Sequence, residues 1–264
     1  MALRLKGPSG LVMLFLLLWA PPPSGAQAPS RSVFEGMWSD PPATAVGWFC
    51  AGWCTDAGIE HLNRLLDAPA NDTRPFPDLM AEATRYQMNA YIVPRLTESA
   101  RKTYPLDPAD DPSFLRCEPY GLSRQMRTRH QLEIRRVGTD RLEFRYGEWD
   151  ARRTIYMDGR PLPANPELTR LGTSVGRWDG DALVIESVGV RAHLGNFNVM
   201  QTDQLRVVER FTRSSDDTLL LTATIDDPGA FQAPVVLKRI WRWAPEITIL
   251  PYEDCEIPAE FKRR

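Results

Sequence analysis

The 264-residue chain is 43% hydrophobic and 25% charged, and its 32 Lys and Arg against 34 Asp and Glu leave a net charge of −2. These are ordinary globular values, and the balance implies neither a nucleic-acid partner nor an anionic membrane. The 28 Arg against 4 Lys fit a high-GC bacterial source.

The N-terminus reads as an export signal. Arg4 and Lys6 precede one apolar run, Leu11 to Ala20, and small residues at Ser24 and Ala26 follow it. A basic start, an apolar stretch of roughly 7–15 residues and a small-x-small end describe a secretory signal peptide. The run is shorter than the roughly 20 residues a spanning helix needs, and no later segment supplies one. The expected organisation is a signal peptide over 1–26, a helical and loop-rich region over 27–124 and a β domain over 125–264. The mature chain is then periplasmic or secreted, with no transmembrane segment after cleavage.

That compartment governs the reading of GWFCAGWC, residues 47–54. All four cysteines (Cys50, Cys54, Cys117, Cys255) lie in the mature part, and an even count in an oxidising compartment favours disulfides. Three pairings are open. The expected one closes Cys50–Cys54 locally and clamps Cys117 to Cys255, contributing ~2 kcal/mol and ~3–5 kcal/mol respectively. Cys50 and Cys54 have three residues between them where a thioredoxin-like motif has two, and His61 is the one histidine near enough to join them on a metal.

DAGIEHLNRLL spaces Ile59, Leu62, Leu65 and Leu66 on one helical face, with Asp56 as the expected N-cap. PDLMAEATRYQMNAYI repeats the pattern, with Pro77 just outside its start. PRLTESARKTY is a third candidate helix, and residues 105–121 read as a long loop. From residue 125 onward the period is two. HQLEIRRV, RLEFRYGEW, RRTIYM, GTSVGRW, DALVIESVGV, QLRVVERFTR, LLLTATI and VVLKRIWRW read as eight strands, separated by turn signals such as Gly138-Thr-Asp140, Asp158-Gly159 and Asp179-Gly180. The fold class is therefore α+β: a short helical N-terminal region, then an antiparallel up-and-down β-barrel of about eight strands, lipocalin-like, able to enclose one small ligand.

Several motifs invite chemistry. Gly172-Thr-Ser174-Val-Gly176 matches the G-x-S-x-G nucleophile elbow, but that mechanism needs a strand, a sharp turn and a helix, and here a second strand follows. A strand of small residues passing close to a neighbour is the stronger reading, which leaves a serine hydrolase through Ser174 as a distant third function. Asp179-Gly180 reads as a turn, whereas Asp158 ends a strand near Tyr156 and both are candidates for a barrel mouth. The most informative pattern is charge on apolar strand faces: Glu186 between Val184 and Val188, Glu209 between Val207 and Phe211, Arg239 between Leu237 and Trp241, and Arg136 beyond Ile134. If those faces point inward, carboxylates and guanidinium groups share an apolar interior, where each must pair or serve a ligand. His193, in a loop, is the best placed of three histidines. Trp178 and Trp241 would wall an aromatic cavity. No nucleotide-binding sequence is present, so no cofactor and no metal are called for.

The stretches RRTIYMDGRPLP, GTSVGRWDGDALVIES, LRVVERFTR and ATIDDPGAF resemble a large family of exported proteobacterial and acidobacterial proteins. The likeness covers about residues 110 to 256. It includes RCEPYGLSR and EDCE, which carry Cys117 and Cys255 and agree with the long disulfide. Similar proteins commonly read G-R-W-E-G-D-T-L-V-V where this chain has Asp179 and Ala182, and many carry His-Ser in place of Gln201-Thr202. The resemblance implies fold and compartment.

Two functions follow as expectations. One is a cofactor-independent lyase or isomerase on a hydrophobic or aromatic small molecule. Glu209 would move the proton, aided by Tyr156, Asp158 or His193, while Arg239 or Arg136, with Glu186, Trp178 and Trp241, would bind the substrate. Lipocalin-like phenolic acid decarboxylases resemble this combination of Tyr, Arg and Glu in a barrel. The other is an exported, non-catalytic binding protein for the same kind of molecule.

Overall fold

A computed structural model describes residues 34–39, 41–107 and 118–250. Residues 1–26, expected as a signal peptide, and Cys117 and Cys255 lie outside the described residues. All eight anticipated strands form where the apolar/polar alternation runs: β2 (Leu132–Val137), β3 (Arg141–Tyr146), β4 (Arg152–Tyr156), β5 (Thr173–Asp179), β6 (Ala182–Val188), β9 (Arg206–Ser215), β10 (Thr218–Asp226) and β11 (Val235–Trp243). A short hairpin, β7 (His193–Leu194) and β8 (Met200–Gln201), stands apart from the main sheet.

A ninth strand, β1 (Gly36–Ser39), closes the barrel by pairing antiparallel with both β11 and β2. The order around the ring is β1-β11-β10-β9-β6-β5-β4-β3-β2. The barrel is therefore mostly antiparallel rather than a simple eight-strand meander, and its closing strand comes from the segment read as helical. One contact is parallel. β4 meets β5 through two residue pairs, Ile155 with Ser174 and Tyr156 with Val175, which leaves the start of β4, Arg152 to Thr154, unpaired with β5. Residues 157–172 make the crossover such a pair needs.

Inside, alternate residues pack as the period-two pattern requires. Leu219, Leu221, Ala223 and Ile225 of β10 and Leu142, Phe144 and Tyr146 of β3 are all buried. Phe144 meets Phe211 edge-on at 5.4 Å between ring centroids, and Phe211 stacks on Trp241 at 6.3 Å, a geometry favourable beyond area burial alone.

Helix α1 (Ala45–Phe49), α2 (Asp56–Leu66) and α3 (Phe76–Gln87) build a second apolar cluster from Phe49, Cys50, Cys54, Leu62, Leu79 and Ala83, against Ile240 on the outer face of β11. The N-cap of α2 is Thr55, whose hydroxyl accepts from Gly58 N at 3.1 Å, and Asp56 is instead the first helical residue, paired with Lys238. Pro77 falls inside the first turn of α3, where its missing N–H costs nothing. A π turn over Met88–Ile92 and then α4 (Glu98–Thr103) and α5 (Leu122–Gln125) bring Ile92, Leu96, Ala100 and Leu122 into the barrel's own core.

Cys50 and Cys54 are joined, with 4.9 Å between their Cα atoms. The loop they close lies along β11, where Lys238 N donates to Cys54 O at 2.8 Å, Cys54 N to Lys238 O at 3.0 Å and Ile240 N to Cys50 O at 3.3 Å. β1 is too short to pair with this part of β11, so the disulfide loop satisfies backbone groups that a barrel edge would leave bare.

Candidate functional site

Five consecutive strands around the ring each point one polar side chain into the barrel: Tyr146 from β3, Arg153 from β4, Ser174 from β5, Ser187 from β6 and Glu209 from β9. All are buried. Arg153 is the hub. Its Nη2 lies 2.5 Å from Glu209 Oε2 and donates to Ser187 Oγ at 2.6 Å, its Nε donates to Ser174 Oγ at 2.8 Å, and its Nη1 donates to Tyr146 Oη at 3.4 Å. The two serine hydroxyls are 3.0 Å apart.

Burial alone would make this guanidinium easier to discharge. The adjacent Glu209 carboxylate more than reverses that and holds Arg153 above its ordinary range. Burial pushes the Tyr146 phenol up to about 12, with Arg153 pulling weakly the other way. Tyr146 is thus a neutral hydrogen-bonding group at physiological pH. Glu209 Oε1 is buried and has no hydrogen-bond partner among the described residues.

Beside the unpaired start of β4, before it meets β5, a cleft of about 380 Å³ reaches this network. Arg153 and Ser174 line its floor, Arg152, Arg170 and Tyr156 its sides, and Thr154, Thr169, Leu171 and Thr173 complete it. Arg152 sits at the rim, 3.5 Å from Glu143 and 3.4 Å from Asp150. Arg170 is held against Glu118 and donates to Pro119 O at 3.1 Å.

Of the residues singled out from sequence, Glu209 faces inward as expected and Tyr156 lines the cleft. The other charged positions go elsewhere. Glu186 lies on the outer wall, because β6 turns Leu183, Ile185 and Ser187 inward; it is shared by Arg177 and Arg206 and held below the usual carboxylate range chiefly by the Arg206 hydrogen bond. Arg136 has the inward parity of Leu132 and Ile134 but stands at the strand's end, where it pairs with Glu35 at 2.8 Å. Asp158 is chelated by Arg160 in the crossover and lowered by it.

Arg239 is interior but donates to the carbonyls of Met126 and His130 at 2.5 and 3.3 Å, with its guanidinium 4.2 Å from the ring of Trp241. Trp241 is core, and Trp178 packs on Phe34 at 5.5 Å. His193 joins a different set. The Ser123 hydroxyl bridges its Nε2, at 3.0 Å, and the Gln201 side chain, while Nδ1 lies 2.9 Å from Arg191 O and Asn196 donates to Ser123 O.

The G-x-S-x-G serine is no elbow: Ser174 lies within β5, faces the interior and hydrogen-bonds Arg153. Its glycines are packing glycines. Gly172 has φ +67° with Val188 O 2.5 Å from where a Cβ would sit, and a Cβ on Gly176 would meet Met157 Sδ at 2.5 Å. Sequence reading missed Arg153, Tyr146 and Ser187. For Arg153 the signal was parity, because it shares the face of Ile155 in RRTIY.

Among the described residues there is no group of three or more His, Cys, Asp or Glu side chains placed to hold a metal ion, and no helix is long and apolar enough to cross a membrane. The fold and site define a closed nine-stranded barrel with an ion pair at its centre and a guanidinium-lined cleft in its wall. Comparison with protein-family models, with curated proteins and with solved structures finds no match.

Proposed function

We propose that this chain is an exported protein that binds a small hydrophobic or aromatic carboxylic acid in the β4–β5 cleft. The observation carrying this reading is the lining: two guanidinium groups, from Arg152 and Arg170, whose carboxylate partners Glu143, Asp150 and Glu118 are not among the lining residues. Guanidinium recognises carboxylate through paired hydrogen bonds, and Thr154, Thr169 and Thr173 add hydroxyls. Tyr156 and Leu171 offer apolar contact to the rest of the molecule. Glu209 has no exposed surface and Arg153 is engaged by the barrel's own side chains, which suits retention of a ligand better than turnover.

The test is mass spectrometry on the mature protein, disulfides intact, after incubation with a pool of aromatic and terpenoid acids. Retention of one acid with its mass unchanged, and its loss in Arg152→Gln, supports the reading. Arg152 is exposed, so that variant keeps the barrel. If no acid is retained, the reading fails.

A second reading, a cofactor-independent lyase or isomerase, is favoured by one observation: the partnerless Oε1 of Glu209 beside Arg153. Glu209 would exchange a proton with a substrate whose acid group Arg153 holds, once the cleft admits it. Disappearance of an acid with formation of a product of different mass or retention time would replace the binding reading with this one.

A further inference from the structure

A second guanidinium-lined groove, of about 490 Å³, lies against the outer face of β5 and β6 beneath the start of the crossover. Arg160, Arg177 and Arg206 line it with Pro161, Leu162 and Val175, and its one lining carboxylate is Glu186. Arg177 donates to Glu186 at 2.8 Å and Arg206 donates to its other oxygen. Among the described residues each of these guanidinium groups spends one hydrogen bond on Glu186, out of the five N–H donors an arginine carries. Asp158 neutralises Arg160 from the side, through bonds of 2.9 Å from Nε to each oxygen and 2.6 Å from Nη2. Within the lining, three guanidinium groups stand with one carboxylate, and Arg177 and Arg206 are exposed to solvent.

This groove adjoins the β4–β5 cleft. Val175 of the groove is the register partner of Tyr156 of the cleft, and Arg160 lies 3.9 Å from the centroid of the Tyr156 ring. The two guanidinium-lined sites thus flank the last paired position of β4 and β5, with apolar side chains between them. The arrangement resting on the binding reading above is a two-ended one. We propose that the ligand is a dicarboxylic acid, with one acid group in the cleft beside Arg152 and the other beside Arg177 and Arg206, and with its hydrocarbon or aryl spacer across Tyr156 and Val175. A monoacid would satisfy one site and leave the other to water.

Calorimetry on the mature protein with matched pairs tests this: a medium-chain fatty acid against the α,ω-diacid of equal chain length, and an aryl monoacid against its para-diacid. Within at least one pair the diacid binds about tenfold more tightly or better, as a second charge-assisted contact requires. Arg177→Gln, and separately Arg206→Gln, bring diacid affinity down toward that of the monoacid and leave the monoacid unchanged, whereas Arg152→Gln weakens both. Both residues of the groove are exposed, so neither variant disturbs the core. Monoacids binding as tightly as diacids, or diacid affinity indifferent to both groove variants, would overturn the proposal while leaving the cleft reading intact. If neither class binds, the cleft reading fails and the proposal with it.

Discussion

Arg153 Nη2 and Glu209 Oε2 meet 2.5 Å apart, their side chains 1% and 0% exposed, although β4 and β9 are separated in the ring by β5 and β6. The pair therefore spans the interior rather than lying along one strand contact. Removing one charge strands the other in an apolar core. Glu209→Gln is expected to lower stability by about 3–5 kcal/mol, whereas Arg153→Met with Glu209→Leu recovers most of that loss. Urea unfolding of the wild type and these two variants checks it. Equal damage from single and double changes would mean the pair is not the energetic unit.

Tyr146 gives a pH signature at the alkaline end. Its phenol is pushed up to about 12 in the folded chain, against about 10 unfolded. The folded state holds this proton more tightly, so the contribution is complete below about pH 10 and is lost as pH rises from there through the folded value. Tyr146→Phe should flatten that alkaline decline. Urea midpoints measured across the range would show it, and an unchanged slope would place the phenol outside the network.

A second titration is at the surface. His130 is raised, chiefly by its hydrogen bond to Glu148, 2.6 Å away. A raised histidine stabilises fully below its ordinary value of 6.5 and loses that contribution as pH climbs through the folded value. With the ring partly in water the effect is about 0.5 kcal/mol. Glu148→Gln should remove it, and NMR titration of His130 in both proteins is the direct measurement. A midpoint that Glu148→Gln leaves in place would refute the assignment.

The Cys50–Cys54 loop predicts a local result. Replacing both cysteines by alanine is expected to cost about 2 kcal/mol and to speed amide exchange at Lys238 and Ile240, whose N–H groups the loop receives. If those two amides exchange no faster than the rest of β11, the loop does not cover the edge.

The barrel was legible because eight of its strands alternate over six or more residues or lie between turn residues with positive φ, such as Gly138 and Gly180. β1 was not, since four residues, GMWS, carry too little pattern. The site was half legible for a similar reason. Glu209 stood out because Val207 and Phe211 flank it and the opposite face of β9 is more polar. Glu186 has the same flanking, but β6 is apolar on both faces, so alternation there held no information about direction. Arg153 was masked by its neighbour Arg152, two identical residues of which only the strand's parity separates core from solvent.

The ninth strand also has an arithmetical consequence. Around a closed ring each antiparallel contact reverses direction, so an odd number of strands returns to its start inconsistently unless an odd number of contacts is parallel. With nine strands, at least one parallel contact is unavoidable, and here it falls between β4 and β5. The parallel contact beside the cleft is thus set by strand parity, and no register slip along the ring can turn it antiparallel. Substitutions that strengthen pairing elsewhere leave it in place, and while β1 stays in the ring the parallel contact can be moved but not removed.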